Sequence, residues 1–445
     1  MEVCIDLKQK TPMWHFQADV SGCVLRATEV KPKLDRFLLA KENKVDESWC
    51  VKGRSDALDY KLWFVAPGEL PLTLHDKSYP LFFGNMGGGQ PKQLIFYKGK
   101  IEMHLFSLND KLIACIKKHL FEFFATHSFG TRQDKGFGFF FPVDIDGTKG
   151  NFNQAFGAHY QFDFEWESYD DKLRNSNWRL PYLRGEHKYV ETFMAIHYFH
   201  KLIRSGINER GCYYKSLMFF YARKRGLQWD KPTIRHHFQL YTQAYQSICG
   251  LLDPPYTEII PRRSGRPVEK IYYKRDEMAE EFSGISTESR LLFRDALGLA
   301  SDQQWKAYWD TISIKAANSD FARFKSPILY RPVIEGNKCH VYIHWDESGL
   351  DDLKAQRFTI SHRAGNRPEV GHPRGGQIPS LTKMRVYETF SLEDYFKFIS
   401  ERYKKVRKGT VRMGRGRQAN DYIEQIFSSE DENFRSTETL NTPKP

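Results

Sequence analysis

Gly130 to Phe140 reads GTRQDKGFGFF. Three glycines, one arginine and one lysine fall within nine residues, between an apolar run of helical spacing and an apolar run of strand spacing. Glycine reaches positive φ without a Cβ penalty and lets a backbone approach a neighbour closely. Clustered backbone N–H groups beside cations can grip a polyanion. Arg132 and Lys135, with Gly130, Gly136 and Gly138, are therefore expected to contact a phosphate backbone.

Working outward, the segments around this loop have clear periods. Val3, Ile5 and Leu7 alternate with Cys4, Asp6 and Lys8, which predicts a strand with one buried face. Thr28 to Ala40 predicts a helix on the spacing of Leu34, Phe37 and Leu38, with Pro32 tolerated in the first turn. Tyr60 to Ala66 and Leu94 to Phe106 read as strands, the latter folded at Lys98-Gly99-Lys100 into an expected hairpin. Leu112, Ile116, Leu120 and Phe123 share a helical face, and Phe137 to Val143 reads as a closing strand. The order strand, helix, strands, helix, strand is that of a ferredoxin-like β-α-β-β-α-β unit, whose sheet often carries single-stranded RNA.

Farther along, residues 150–178 read as an irregular connecting segment. His187 to Arg204, Tyr213 to Arg225 and Ile234 to Cys249 have helical spacing, as do Glu288 to Leu299 and Asp302 to Ile312. Ser326 to Val333 and Lys338 to Trp345 read as strands about a Gly336-Asn337 turn, and Leu392 to Arg402 as a helix leading into a basic glycine-containing run. The expected fold class is α+β: two ferredoxin-like (RRM-like) units with a helical insertion between them. The corresponding boundaries are a first unit with the glycine-rich loop over 1–150, a connecting segment and helical insertion over 151–300, a second, divergent unit over 301–420 and a disordered tail over 421–445.

The 445 residues carry a net charge of +12 and 15% aromatics. That balance favours a polyanionic partner and offers rings for stacking on unpaired bases. No run of 18 apolar residues suggests a membrane span. The seven cysteines are an odd number, widely spaced and without a CxxC pair, so neither a zinc site nor a disulfide framework is expected, and a reducing cytoplasm fits. His15 and His127 flank the first strand and the glycine loop but read as structural. Neither Asp19 nor the Asp144/Asp146 pair is anchored to a catalytic or metal motif. His340 and His344 share a strand face without a carboxylate or cysteine cluster beside them. No Walker A, GxSxG or HExxH motif occurs. No cofactor, metal or catalytic residue is expected.

Several pieces together resemble the RAMP superfamily of CRISPR type III effector complexes, most like the Cmr subunit one family. They are the opening strand running into Thr11-Pro12-Met13-Trp14, the segment Leu25 to Thr28 ahead of the basic helix, the turn Leu81 to Gly84 (LFFG), and the Gly130 to Gly138 loop. Ser326-Pro327-Ile328, ahead of Arg331-Pro332, resembles a further piece in the second half. The resemblance implies a non-catalytic, RNA-binding subunit whose partners are CRISPR guide RNA, target RNA or both, together with other subunits of the complex. The alternatives are a RAMP-type metal-independent endoribonuclease and a basic protein-interaction subunit without RNA contact.

Besides the glycine loop, two cationic groups are expected to meet RNA. Arg26, Lys31, Lys33 and Arg36 cluster at the start of the first helix, where cations and a helix N-terminus suit a phosphate. Lys408, Arg412, Arg415 and Arg417 lie in the run KGTVRMGRGR, with glycines among the arginines. Asp134 is the residue of the loop that fits a phosphate grip least well.

Overall fold

The computed structural model describes residues 1–14, 25–42, 46–66, 72–74, 94–165, 187–209, 212–214, 216–227, 230–238, 256–260, 268–272, 291–307, 310–364, 378–403, 423, 426–427 and 434–437. The architecture is mixed α+β. The chain packs as two compact units. One comprises Met1–His197, Leu329–His344 and Arg435–Pro445; the other comprises Tyr198–Ile328 and Trp345–Phe434.

In the first unit a four-stranded antiparallel sheet runs in the order β3 (Lys61–Val65), β6 (Lys100–Phe106), β1 (Glu2–Gln9) and β7 (Phe140–Pro142). The alternation of β1 sets its register: Ile5 faces Met103 and Leu7 faces Ile101, all four buried. Because side chains alternate across a strand, Cys4 and His104 face each other on the opposite surface, with Trp63 of β3 next in the row. The inner face shares a core with Val30, Leu34 and Leu38 of helix α1 (Ala27–Lys41) and with Ile116, Leu120, Phe123 and Phe124 of helix α2 (Asp110–Thr126). The helix α2 begins at Asn109, whose side chain accepts from the backbone N–H groups of Lys111 and Leu112, the usual way of satisfying first-turn donors.

The expected hairpin at Lys98-Gly99-Lys100 does not form. Strand β5 (Leu94–Phe96) pairs with β2 (Met13–Trp14) and β4 (Leu72–Leu74) in a separate three-stranded sheet, while β6 joins the main one. The buried side chain of Gln9 replaces the hairpin partner: it donates to Ile95 O at 2.9 Å and accepts from Tyr97 N at 2.8 Å. A three-residue turn signal could not reveal a competing buried amide 86 residues from Ile95.

The segment expected to be irregular from residue 150 onward begins with order. Helix α3 (Phe152–Phe156) is followed by strand β8 (Tyr160–Glu165), which pairs antiparallel with the Lys338–Trp345 strand. The Gly336-Asn337 turn holds, with Gly336 at φ 61° between the Ile328–Glu335 and Lys338–Trp345 strands. Helix α4 (His187–Arg204) forms where its apolar spacing places it.

In the second unit a five-stranded sheet runs in the order Leu291–Leu292, Leu381–Val386, Phe358–Arg363, Asp310–Ala316 and Gln303–Ala307, with only the first pair parallel. The helices expected over Glu288 to Leu299 and Asp302 to Ile312 are corrected here. Within the described part of the former there is a short strand and a 3-10 turn at Arg294–Leu297; the latter is a two-strand hairpin. Ile312 and Ile314 are buried on one face of a strand paired on both edges, so strand neighbours override a spacing that a helix also satisfies. The helix expected from Tyr213 starts only at Leu217, where Ser216 accepts from Phe219 N; Tyr213 lies in a short strand. The Leu392–Tyr403 helix forms as expected, and its Tyr395 donates to Ile203 O. Among the described residues no helix is long and apolar enough to cross a membrane.

Candidate nucleic-acid interface

The glycine loop leaves the end of α2, packs against the Thr11–Trp14 segment that follows β1 and returns as β7. Each glycine is needed where it stands. Gly130, Gly136 and Gly138 have φ of 79°, 87° and 66°. A Cβ on Gly138 would sit 1.9 Å from Phe129 O, and one on Gly130 2.3 Å from Trp14 O. Two of their amides are committed: Gly138 N donates to Pro12 O at 2.8 Å and Gly130 N to the Glu29 carboxylate at 2.8 Å. Thr11 ties the other end, its hydroxyl donating to Gly136 O at 2.7 Å and accepting from Phe139 N at 3.0 Å. The glycines therefore serve close packing, of Gly130 against Met13 and Trp14, of Gly138 against Phe129 and of Gly136 against Pro332.

Between them Arg132 adopts the left-handed conformation, φ 61° and ψ 33°. For a residue other than glycine this costs about 1–2 kcal/mol and persists only where neighbours impose it. The imposing groups are visible. Lys135 N donates to Arg132 O at 2.9 Å, and the Gln133 amide donates to Gly130 O at 2.6 Å.

Beneath the loop lies Arg331, 1% exposed, from the Ile328–Glu335 strand. Its guanidinium donates to Ala125 O and Thr126 O at 2.8 Å each, to Tyr330 O at 3.0 Å and to Gln133 O at 3.2 Å. Two of these acceptors are carbonyls of the last turn of α2, which lack intrahelical donors and favour a cation. Arg331 thus closes the helix and props the loop in one stroke, between the rings of Phe139 and Phe156. Burial pushes its guanidinium down to about 9, opposed by the Asp134 charge, so it is cationic at neutral pH. This gives Asp134 a structural reason: it balances Arg331 and pairs with Lys135 at 3.1 Å.

Of the first-helix cations, Lys33 meets the loop, about a hundred residues away in sequence. Lys33 donates to Ser128 O at 3.0 Å and Gln133 Oε1 at 3.1 Å, and pairs with Glu29 at 3.2 Å. Lys31 turns the other way, to Asp35 at 2.9 Å and Leu58 O at 2.7 Å over the Tyr60 ring. Lys135 is 5% exposed and lies over Tyr330. Arg36 is exposed, its Nε donating to Pro32 O at 3.1 Å, while Arg26, half-buried, is the N-cap of α1. His127 stacks on Phe123 at 4.7 Å, and its Nδ1 lies 3.1 Å from Phe123 O. Burial pushes its ring down to about 4, with the Arg331, Lys33 and Arg36 charges adding to the effect.

Lys408, Arg412, Arg415 and Arg417 lie outside the described residues, as do His15, Asp19 and Leu81 to Gly84. His340 is held by Asp163 at 2.8 Å and His344 by Gly157 O at 2.8 Å. Sequence reasoning placed Arg331 only within a family-like piece; its buried position in a strand flanked by apolar residues was the available sign of a structural cation.

Residues 1–207 match the family model described as Cmr1 N-terminal domain, and residues 213–416 the one described as Cmr1 C-terminal domain. No curated protein matches. A solved structure, the crystal structure of Cmr1 from Pyrococcus furiosus in its apo form, matches at 15% identity over 90% of this chain and 97% of that chain, with a TM-score of 0.33. At that score the superposition carries no argument.

Proposed function

We propose, from the premise that the chain belongs to the Cmr1 family, the RAMP-type subunit one of type III-B CRISPR effector complexes, that it is a non-catalytic subunit holding guide or target RNA by its backbone. In such systems base pairing reads sequence while protein cations hold phosphates and shape. Other subunits of the complex are its protein partners, and the cytoplasm is its site of action. The first-unit strand order β3-β6-β1-β7, with α1 and α2 packed on one face, supports reading that unit as ferredoxin-like; the second unit is assigned to the same class only by analogy.

The observation that carries the reading is the convergence of α1 and the glycine loop through Lys33. Glu29, which accepts from Gly130 N, adds a second tie between the helix and the loop that carries Arg132. On this reading Lys33 and Lys135, with Gly130, Gly136 and Gly138, shape the loop, Lys31 braces the other side of α1, and Arg26, Arg36 and Arg132 contact phosphate. The basic run at Lys408, Arg412, Arg415 and Arg417 is proposed as a second grip.

The test is RNA binding by the purified protein and by the reconstituted complex across a salt series. Arg132→Glu should weaken binding by about 1–3 kcal/mol, the scale of charge-assisted hydrogen bonds. It should also flatten the salt dependence. Unchanged affinity would remove the loop from the interface. Metal-free cleavage of labelled CRISPR repeat RNA that His127→Ala abolishes would overturn the non-catalytic reading.

A further inference from the structure

Two clusters among the described residues bring three metal-ligating side chains within reach of one another. In the first, Glu42, Cys115 and His119, the carboxylate oxygen that meets His119 Nε2 at 2.8 Å also holds the Lys118 ammonium at 3.2 Å. A resident cation already occupies that oxygen. The second cluster lies on the open face of the first sheet. Cys4 on β1 and His104 on β6 are direct cross-strand partners, and Glu102 precedes His104 by two residues, so all three project from the same face.

The separations suit a small tetrahedral ion. Cys4 Sγ lies 3.9 Å from His104 Nε2, which lies 3.2 Å from Glu102 Oε2. With bonds of about 2.3 Å to sulfur and about 2.0 Å to nitrogen and oxygen, these spans correspond to angles of about 130° and about 105° at a shared ion, on either side of tetrahedral. The other ring nitrogen, Nδ1, faces Glu2 Oε1 at 3.6 Å. That is beyond hydrogen-bond reach, and Nδ1 has no hydrogen-bond partner, so Glu2 is the carboxylate placed to accept from its N–H once Nε2 is ligated. Trp63 stacks on the same ring, centroids 5.0 Å apart and planes 7° from parallel, limiting its rotation.

We propose that Cys4, Glu102 and His104 form a binding site for a zinc-class divalent cation. The thiolate, one carboxylate oxygen and imidazole Nε2 are its ligands, and a fourth position faces solvent. On binding, Cys4 loses its thiol proton to solvent, His104 keeps its proton on Nδ1 toward Glu2, and no oxidation state changes. The bound ion clips β1 to β6 near the start of the chain. The charges around the thiol favour a cation: Glu2 and Asp6 on β1 and Glu102 on β6 outnumber Lys100, which pairs with Asp6 at 2.6 Å.

Cobalt(II) and zinc are the probes, titrated into chelator-stripped full-length protein. One equivalent of cobalt should give a thiolate-to-metal charge-transfer band with tetrahedral d–d bands, and zinc should displace it and raise the melting temperature. Cys4→Ser should abolish the charge-transfer band. Glu102→Gln should weaken binding, and Glu2→Gln should weaken it about 10- to 100-fold while preserving stoichiometry and band position. Cys115→Ser should change nothing. Melting curves of the metal-free variants confirm folding. The proposal fails if no thiolate band forms, if the band survives Cys4→Ser, or if Cys115→Ser removes it.

Discussion

Replacing Arg331 by methionine isolates the strut beneath the glycine loop. Methionine fills much of the same volume and packs between Phe139 and Phe156, but it donates no hydrogen bond. Three carbonyls from elsewhere in the unit, those of Ala125, Thr126 and Gln133, lose charged donors at 2.8, 2.8 and 3.2 Å. Each buried acceptor left alone costs about 1–3 kcal/mol. Against that stands relief of the desolvation that pushes the guanidinium down to about 9. The balance should resemble other losses of one partner from a buried charged network, about 3–5 kcal/mol. Urea unfolding of the two proteins measures it, and Arg331→Lys, which keeps the charge without the planar fork, should fall between. RNA binding supplies a second reading: Arg331→Met should lower affinity together with stability, whereas Arg132→Glu should lower affinity alone. A methionine variant within about 1 kcal/mol of the parent would refute the strut.

Other substitutions follow from the same geometry. Gly138→Ala puts a methyl 1.9 Å from Phe129 O at φ 66°. It should cost more than an ordinary core change, above about 3 kcal/mol, read as lost soluble yield or a lowered melting temperature. Arg132→Gly relieves the left-handed strain, so it should hold or raise stability by up to about 1 kcal/mol while weakening RNA binding. His127, pushed down to about 4 from an ordinary 6.5 chiefly by burial, is favoured neutral in the folded protein. Its contribution is full above pH 6.5 and declines as pH falls toward 4, because the unfolded chain takes up the proton first, with a slope of up to about 1.4 kcal/mol per pH unit. His159, also near 4, acts in the same direction. His127→Phe should therefore make the acid limb of a stability–pH curve shallower, and an unchanged limb would count against a buried neutral ring.

Local chemistry by itself determined much of the first unit. The alternation of Val3, Ile5 and Leu7, the helical spacing through Leu34 and Leu38 and that through Leu112 to Phe123 are periods that only one kind of element satisfies while burying one face. The glycines of residues 130–138 announced a backbone that needs positive φ, and three of them have it. One family-like piece, Gly130 to Gly138, is that glycine segment itself. Where two elements could satisfy one pattern, as over Gln303 to Ala316, the sheet decided, because strand neighbours supply hydrogen bonds and packing that the segment cannot see locally.

Only tertiary structure could assign roles to individual charges. Arg331 reaches carbonyls 198 to 206 residues away, and Lys33 bonds a loop 95 to 100 residues on. Lys31, Lys33 and Lys135 therefore turn out to be braces, and Asp134 a counter-charge. Cys4, Glu102 and His104 form no spaced motif, since strand register alone brings the first within reach of the other two. Helical and strand periods arise from nearest neighbours along the chain. The partners of a charge or a ligand are set by which strands pair, and that pairing is a property of the whole unit.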